Sequence, residues 1–265
     1  MLRKLLITAI FGVSTCLVLP SASAAVDPIS FLKAKQGDVN EQLNVATQYY
    51  MEQDFVNAFN WFKKVADQGN ADAQFNLALM YQYGKGVDQN YSNAVKWYTK
   101  AAEQGQVNAP YNLGMMYHNG RGVEQSYSTA AKWFTKAAEQ GNADAQHNLG
   151  VLYANGQGIE QSYSTAAKWF TKAAEQGHAN SQYGLGVSYA NGRGVEQSYS
   201  TAAKWFTKAA EQGHVNAQYN LGVLYRNGQG VRQNKKTAKE WFGKACDNGN
   251  DKGCSKYAIL NSQGY

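Results

Sequence analysis

The sixteen residues from Ser126 to Gly141, SYSTAAKWFTKAAEQG, recur letter for letter at 162–177 and again at 198–213, both times offset by 36. A fixed period between about twenty and fifty residues belongs to stacked arrays, in which a unit buries its apolar face only against the next unit. A single-cored enzyme is not built this way. The glycines Gly69, Gly105, Gly141, Gly177, Gly213 and Gly249 keep the same interval and mark the end of each unit.

Each unit reads as a pair of helices. In the first full one, Ala73, Leu77, Ala78 and Tyr81 fall at i, i+4, i+5 and i+8, one face of a helix that Gly84 stops. Asp54, Asn90, Ser126, Ser162, Ser198 and Asn234 then occupy one equivalent position, and all six are good N-caps, which fixes the start of the second helix. That helix presents Tyr91, Ala94, Trp97, Tyr98 and Ala101 inward, and Gly105 closes it. The six tryptophans, Trp61, Trp97, Trp133, Trp169, Trp205 and Trp241, stand one per unit. With alanines at helical spacing around them, they predict a core ladder rather than a ligand-stacking ladder. The loops Gly84/Gly86, Gly120/Gly122, Gly156/Gly158, Gly192/Gly194 and Gly228/Gly230 lack the preceding strand, third glycine and Lys-Ser/Thr of phosphate-binding loops, so they read as turns. Gly114, Gly150, Gly186 and Gly222 are expected to let helices approach closely.

Arg3 and Lys4, an uncharged apolar run over Leu5–Leu19 and the small residues up to Ala24 have the plan of a secretory signal peptide over 1–24. The run is short of the roughly 20 residues that span a bilayer, so no stable membrane insertion is expected after cleavage, and Cys16 leaves with the peptide. Residues 25–36 then form an N-terminal capping helix with Asp27 as N-cap, 37–69 a shortened repeat, 70–249 five 36-residue repeats, and 250–265 a closing helix. Losing residues 1–24 lowers the net charge from +6 to +4. Lysines such as Lys132 and Lys136 alternate with acids such as Glu139, a solvated outer face and not the clustered basic footprint of a nucleic-acid binder.

The pattern A-x-A-Q-x-N-L-G-x-x-Y-x-x-G-x-G-V followed by Y-x-x-A-x-x-W-x-x-K-A-A-E-Q-G resembles the Sel-one-like repeat (SLR) family, relatives of the tetratricopeptide repeat, over residues 37–265. Ala78 and Pro110 depart from it, at the positions of a glycine and a glutamine. The resemblance implies an all-α, right-handed superhelix of stacked hairpins, acting as an adaptor or scaffold. Family members exported by bacteria take part in envelope regulation or contacts with host molecules, which implies a periplasmic or secreted chain with a protein or peptide partner. No cofactor and no metal are expected, and a monomer is.

In tetratricopeptide-like arrays the first helices line the concave side. Carried over by register, this places Asp72, Phe75, Leu79 and Gln82 on the groove, with Tyr111, His147, Tyr183 and Tyr219 equivalent to Phe75, and Met115, Val151, Val187 and Val223 equivalent to Leu79. His118 and Arg226 match Gln82, a position that varies between repeats while the second helices of three copies are identical. Selectivity is therefore expected along that inner stripe. The spacing of Cys246 and Cys254 resembles that in the cysteine-rich helicobacter branch of the family, which implies a disulfide joining neighbouring helices. A redox-active pair is the alternative, though the spacing is not Cys-x-x-Cys.

Some cysteine-rich relatives have been linked to penicillin binding or β-lactamase activity, and Ser30 to Lys33 (SFLK) fits Ser-x-x-Lys. Ser-Asp-Asn and Lys-Thr-Gly are absent, with only Lys236-Thr237-Ala238 near the latter. The histidines His118, His147, His178 and His214 show no metal-ligand spacing, and Glu139 and Glu175 are copies of one surface residue. A non-enzyme is expected.

Overall fold

Helix boundaries follow the capping chemistry. The computed structural model describes residues 27–265, so the expected leader at 1–24 and the first two residues of the cap lie outside it. The described residues form fourteen α-helices and no strand, in two compact units. The first, ending at Gln125, holds α1 (Pro28–Lys35), α2 (Val39–Met51), α3 (Phe55–Asp67), α4 (Ala71–Tyr83), α5 (Tyr91–Glu103) and α6 (Ala109–Asn119). The second, 126–265, holds α7 (Tyr127–Glu139), α8 (Ala143–Asn155), α9 (Tyr163–Glu175), α10 (Ala179–Asn191), α11 (Tyr199–Glu211), α12 (Val215–Asn227), α13 (Lys235–Asp247) and α14 (Asp251–Ser262). Within each unit consecutive helices pack as hairpins, the all-α stacked-hairpin class that the period predicts.

All six predicted caps work as such. The side chains of Asp54, Asn90, Ser126, Ser162, Ser198 and Asn234 each accept the backbone N–H three residues on, satisfying a donor that the helix start would otherwise leave open. Asp27 caps α1 in the same way, with Pro28 in the first turn. The first helices α10 and α12 are capped by His178 and His214, whose Nδ1 atoms accept from Ser181 and Ala217 at 3.2 Å.

The core corrects the tryptophan ladder. The rings sealed inside are the neighbours of the tryptophans in sequence: Phe62, Tyr98, Phe134, Phe170, Phe206 and Phe242 are between 0% and 7% exposed. Trp97 is buried, but Trp61, Trp133, Trp169, Trp205 and Trp241 remain partly exposed. In the second unit the ring enters a glycine hole. A Cβ at Gly186 would stand 2.6 Å from the Phe206 ring, and one at Gly222 would stand 2.8 Å from Phe242. The phenylalanine enters the space that the missing side chain leaves, and the indole, about 100° round the helix, closes the joint from outside. Trp205 thus packs against the α9–α10 cluster of Ala166, Phe170, Ala174 and Leu185.

A polar ladder runs beside this apolar one. Gln146, Gln182 and Gln218 are buried, and each donates to a carbonyl in the last turn of the preceding second helix, Ala138, Ala174 and Ala210. Each also accepts from the residue capping the following second helix: Gln176, Gln212 and Asn248, at 2.7–3.0 Å. One carboxamide therefore ties three successive helices and adds a second hydrogen bond to a helix-end carbonyl that already accepts the N–H of the terminating glycine. Gln42 and Gln74 do the same in the first unit. Pro110 stands in the place of this glutamine in α6.

Cys246 of α13 and Cys254 of α14 form a disulfide with Cα atoms 4.5 Å apart. The Lys239 ammonium reaches the Tyr265 carbonyl, and Lys235 donates to the Tyr265 hydroxyl at 2.9 Å. The last helix is thus held covalently at one end and by polar contacts at the other.

Candidate functional site

The first helices present their predicted residues in two different ways. In the first unit Phe75 and Leu79 are 7% and 5% exposed, so neither lines an accessible groove. Phe75 packs on Tyr98, with centroids 5.7 Å apart. Gln82, Tyr111, Met115 and His118 are partly exposed. Gln82 accepts a 2.6 Å hydrogen bond from the Tyr98 hydroxyl, whose pKa burial raises well above its ordinary value.

In the second unit His147, Tyr183, Tyr219 and Arg226 are all partly exposed, and the rings are held by stacking between neighbouring helices. Tyr183 lies against His214 at 4.4 Å and Phe206 at 5.8 Å, and Tyr219 lies 5.6 Å from Phe242. His147 lies 4.7 Å from His178 and 5.7 Å from Phe170. These rings occupy the joints, with one edge to solvent.

Between the rings runs a stripe in which the predicted groove valines Val151, Val187 and Val223 are flanked along each helix by Asx residues that the sequence analysis did not single out. At i, i+4, i+7 and i+11 of each first helix stand Asp144, Asn148, Val151 and Asn155 on α8, then Asn180, Gly184, Val187 and Asn191 on α10. On α12 they are Asn216, Asn220, Val223 and Asn227. The first and last of each set are exposed and the middle two partly so. The signal was the recurrence of Asx at a helical repeat with valine between. Asn180, Asn191, Asn216 and Asn220 have no hydrogen-bond partner among the described residues, and each carboxamide offers a donor and an acceptor side by side.

One cluster on this face resembles a catalytic array and is not one. Ser181 Oγ lies 2.9 Å from His147 Nδ1 and 3.0 Å from His178 Nδ1, and His178 Nε2 lies 3.2 Å from Asp144 Oδ1. Because His178 Nδ1 accepts the Ser181 amide, its Nε2 carries the proton and donates to Asp144. That bond holds the Asp144 carboxyl below its ordinary pKa. Burial, followed by the nearby His178, pushes His147 down to about 4. Ser181 is 0% exposed, so its hydroxyl cannot meet a substrate. The cluster locks α8 to α10.

The Ser30 hydroxyl donates to Asp27 at 2.9 Å, as part of the α1 cap, and no hydrogen bond joins it to the exposed Lys33 among the described residues. No group of three or more His, Cys, Asp or Glu among those residues is placed to hold a metal ion. No described helix is long and apolar enough to cross a membrane.

A face of half-exposed joint residues on stacked hairpins defines a helical-repeat protein. The chain belongs to the Sel1 repeat family: the Sel1 repeat model matches residues 47–70, 71–106, 108–142, 143–178, 179–214 and 215–250. It is similar to the crystal structure of c5321, a protective antigen present in uropathogenic Escherichia coli strains displaying an SLR fold, with 36% identity and a TM-score of 0.85. That match covers 89% of this chain and 51% of c5321, so this chain spans about half the length of that protein. A Sel1 repeat protein from Oxalobacter formigenes is 32% identical with a TM-score of 0.72, the match covering 80% of this chain and 84% of that one. No curated protein sequence matches the chain. Sel1 repeat proteins mediate protein–protein interaction and are typically non-enzymatic scaffolds.

Proposed function

We propose that the chain is an exported, monomeric scaffold that captures a protein or peptide on the first-helix face of each unit. Gln82, Tyr111, Met115 and His118 contribute in the first unit, and His147, Tyr183, Tyr219 and Arg226 in the second. The observation that supports this most directly is the state of the second-unit rings. Each is pinned by a stacking partner and still half open, so it offers contact area with little rotamer freedom left to lose. The unpartnered asparagines beside them suit the polar groups of a polypeptide. Residues 25–36 and 250–265 serve as end caps around the repeats.

A periplasmic or extracellular location, with a role in envelope regulation or host contact, fits the Cys246–Cys254 bridge, since such bridges persist where the surroundings are oxidising. The resemblance to an antigen of uropathogenic strains points the same way. A photo-crosslinking residue placed at Tyr183, Tyr219 or Arg226 should trap the same protein from the native envelope, and one placed at exposed Lys168 or Lys204 on the second helices should not. Equal trapping from both sets of positions, or none from the first, refutes the reading.

A further inference from the structure

The chain's positive charge is concentrated in one unit. Residues 126–265 carry 15 Lys and Arg against nine Asp and Glu, a net +6, whereas residues 27–125 carry eight against ten, a net −2. The excess sits on the second helices: α7, α9 and α11 each hold two lysines and one glutamate, and α13 holds four lysines against two acids. The lysines of α7, α9 and α11 are exposed, and none has an ion-pair partner among the described residues. One lysine of each helix lies over the indole one turn back. The ammonium-to-centroid distances are 4.4 Å for Lys136 over Trp133, 4.3 Å for Lys172 over Trp169, 4.4 Å for Lys208 over Trp205 and 4.2 Å for Lys244 over Trp241. Attraction to the ring face holds the cation in place before any ligand arrives, which lowers the ordering cost of binding. On α11 a depression of about 450 Å³ is lined by Lys204, Trp205, Thr207 and Lys208. The same four residue types recur at the matching positions of α7 and α9.

We propose that the second-helix face of residues 126–265 binds a linear acidic polysaccharide, with carboxylates of its sugar units on the successive lysine pairs of α7, α9 and α11. Charge complementarity requires an anion. Periodicity narrows the class: these three helices share thirteen letters, YSTAAKWFTKAAE, so a ligand that uses all three must itself repeat. A folded protein surface does not repeat in this way. A single-stranded nucleic acid repeats but calls for open ring faces on which bases stack. Here the indoles are partly buried and carry an ammonium on the outward side, and no arginine stands on α7, α9, α11 or α13. Sugar hydroxyls, in contrast, find the Thr207 hydroxyl oxygen and the indole edge between two cations.

The test uses the full chain and polygalacturonate oligomers of graded length, followed by calorimetry and by tryptophan emission. Binding should tighten with length and weaken with salt, and emission should change as carboxylates approach the ammonium groups held beside the indoles. Full methyl esterification of the polymer should abolish binding. The variant K132Q/K136Q/K168Q/K172Q/K204Q/K208Q should bind at least tenfold more weakly, and the single-helix variant K204Q/K208Q should fall between it and the parent. A control that removes six cations elsewhere, K33Q/K35Q/K85Q/R193Q/K252Q/K256Q, should bind like the parent. All these side chains lie at the surface, so equal melting temperatures serve as the check on folding. Absence of binding by the parent overturns the proposal, as does equal weakening of the six-site variant and its control. Tighter binding of polyglutamate or duplex DNA through the same lysines overturns it in favour of an acidic protein or a nucleic acid. Crosslinking from Tyr183 is unaffected by these variants, so the first-helix reading stands or falls separately.

Discussion

His147 links the chemistry of the first-helix face to solution conditions. Burial and the adjacent His178 hold its folded-state pKa at about 4, below the ordinary 6.5. Between those values the unfolded chain binds the extra proton, so this contribution to stability is whole above pH 6.5 and drains away as the pH falls towards 4. His214, lowered by burial, adds to the loss in the same direction. The Asp144 carboxyl is lowered as well, but its contribution is lost only on further acidification, through its folded pKa. Urea titrations at pH 7.5 and pH 4.5 should show a drop of up to about 3 kcal/mol for the parent. In His147→Tyr, which installs the residue found at Tyr183 and Tyr219, much of that slope should vanish, and an unchanged slope would place the effect elsewhere. The aromatic pairs make a second contrast at this scale. Phe206→Ala should cost about 3–5 kcal/mol, and Trp205→Ala measurably less, because the indole keeps partial exposure while the phenyl ring is sealed. The sequence shows two adjacent rings per unit but not which one enters the joint. Gly186 decides that from another helix, and a single unit read alone does not contain the pairing.

At the scale of the element, the buried glutamines and the terminal disulfide do related work. Gln182 closes the end of α9 and receives the cap of α11, so Gln182→Ala leaves the Ala174 carbonyl and the Gln212 carboxamide without this partner. A cost of about 1–3 kcal/mol is expected by chemical denaturation, the usual net worth of the two hydrogen bonds removed, since the Ala174 carbonyl keeps the Gly177 N–H and Gln212 keeps the Gly177 carbonyl. Cys246→Ser with Cys254→Ser should cost about 2–3 kcal/mol, from the short loop that the bridge closes. Amide exchange should quicken over 251–262 and stay slow over 163–211, because each hairpin contacts only its neighbours. Helix starts were legible in the sequence because capping is local: Ser126 and Asn90 announce themselves within three residues. The exposed stripe was less so. Phe75 and Leu79 have the same periodicity as groove residues, and their burial shows only in the folded chain.

At the scale of the whole molecule, fold and repeat number were plain from the 36-residue period, whereas the binding faces depend on which side chains the packing leaves uncovered. The asparagine track and the lysine–indole pairs both lie on helices whose letters were visible from the start, yet their exposure is a property of the stack. The three identical helices carry one more consequence. Excising residues 162–197 joins Gln161 directly to Ser198, and each second-helix cap, glycine hole and carboxamide partner at the new junction meets the same letter it met before, while His147 meets Ala217 in place of Ser181. Such a shortened chain should fold with unchanged helical content per residue and only a modestly lower melting temperature, as circular dichroism would record. Reach is then an adjustable quantity in this protein, set by how many near-interchangeable segments it contains, and selection can lengthen or trim it in whole steps with little change at the joints.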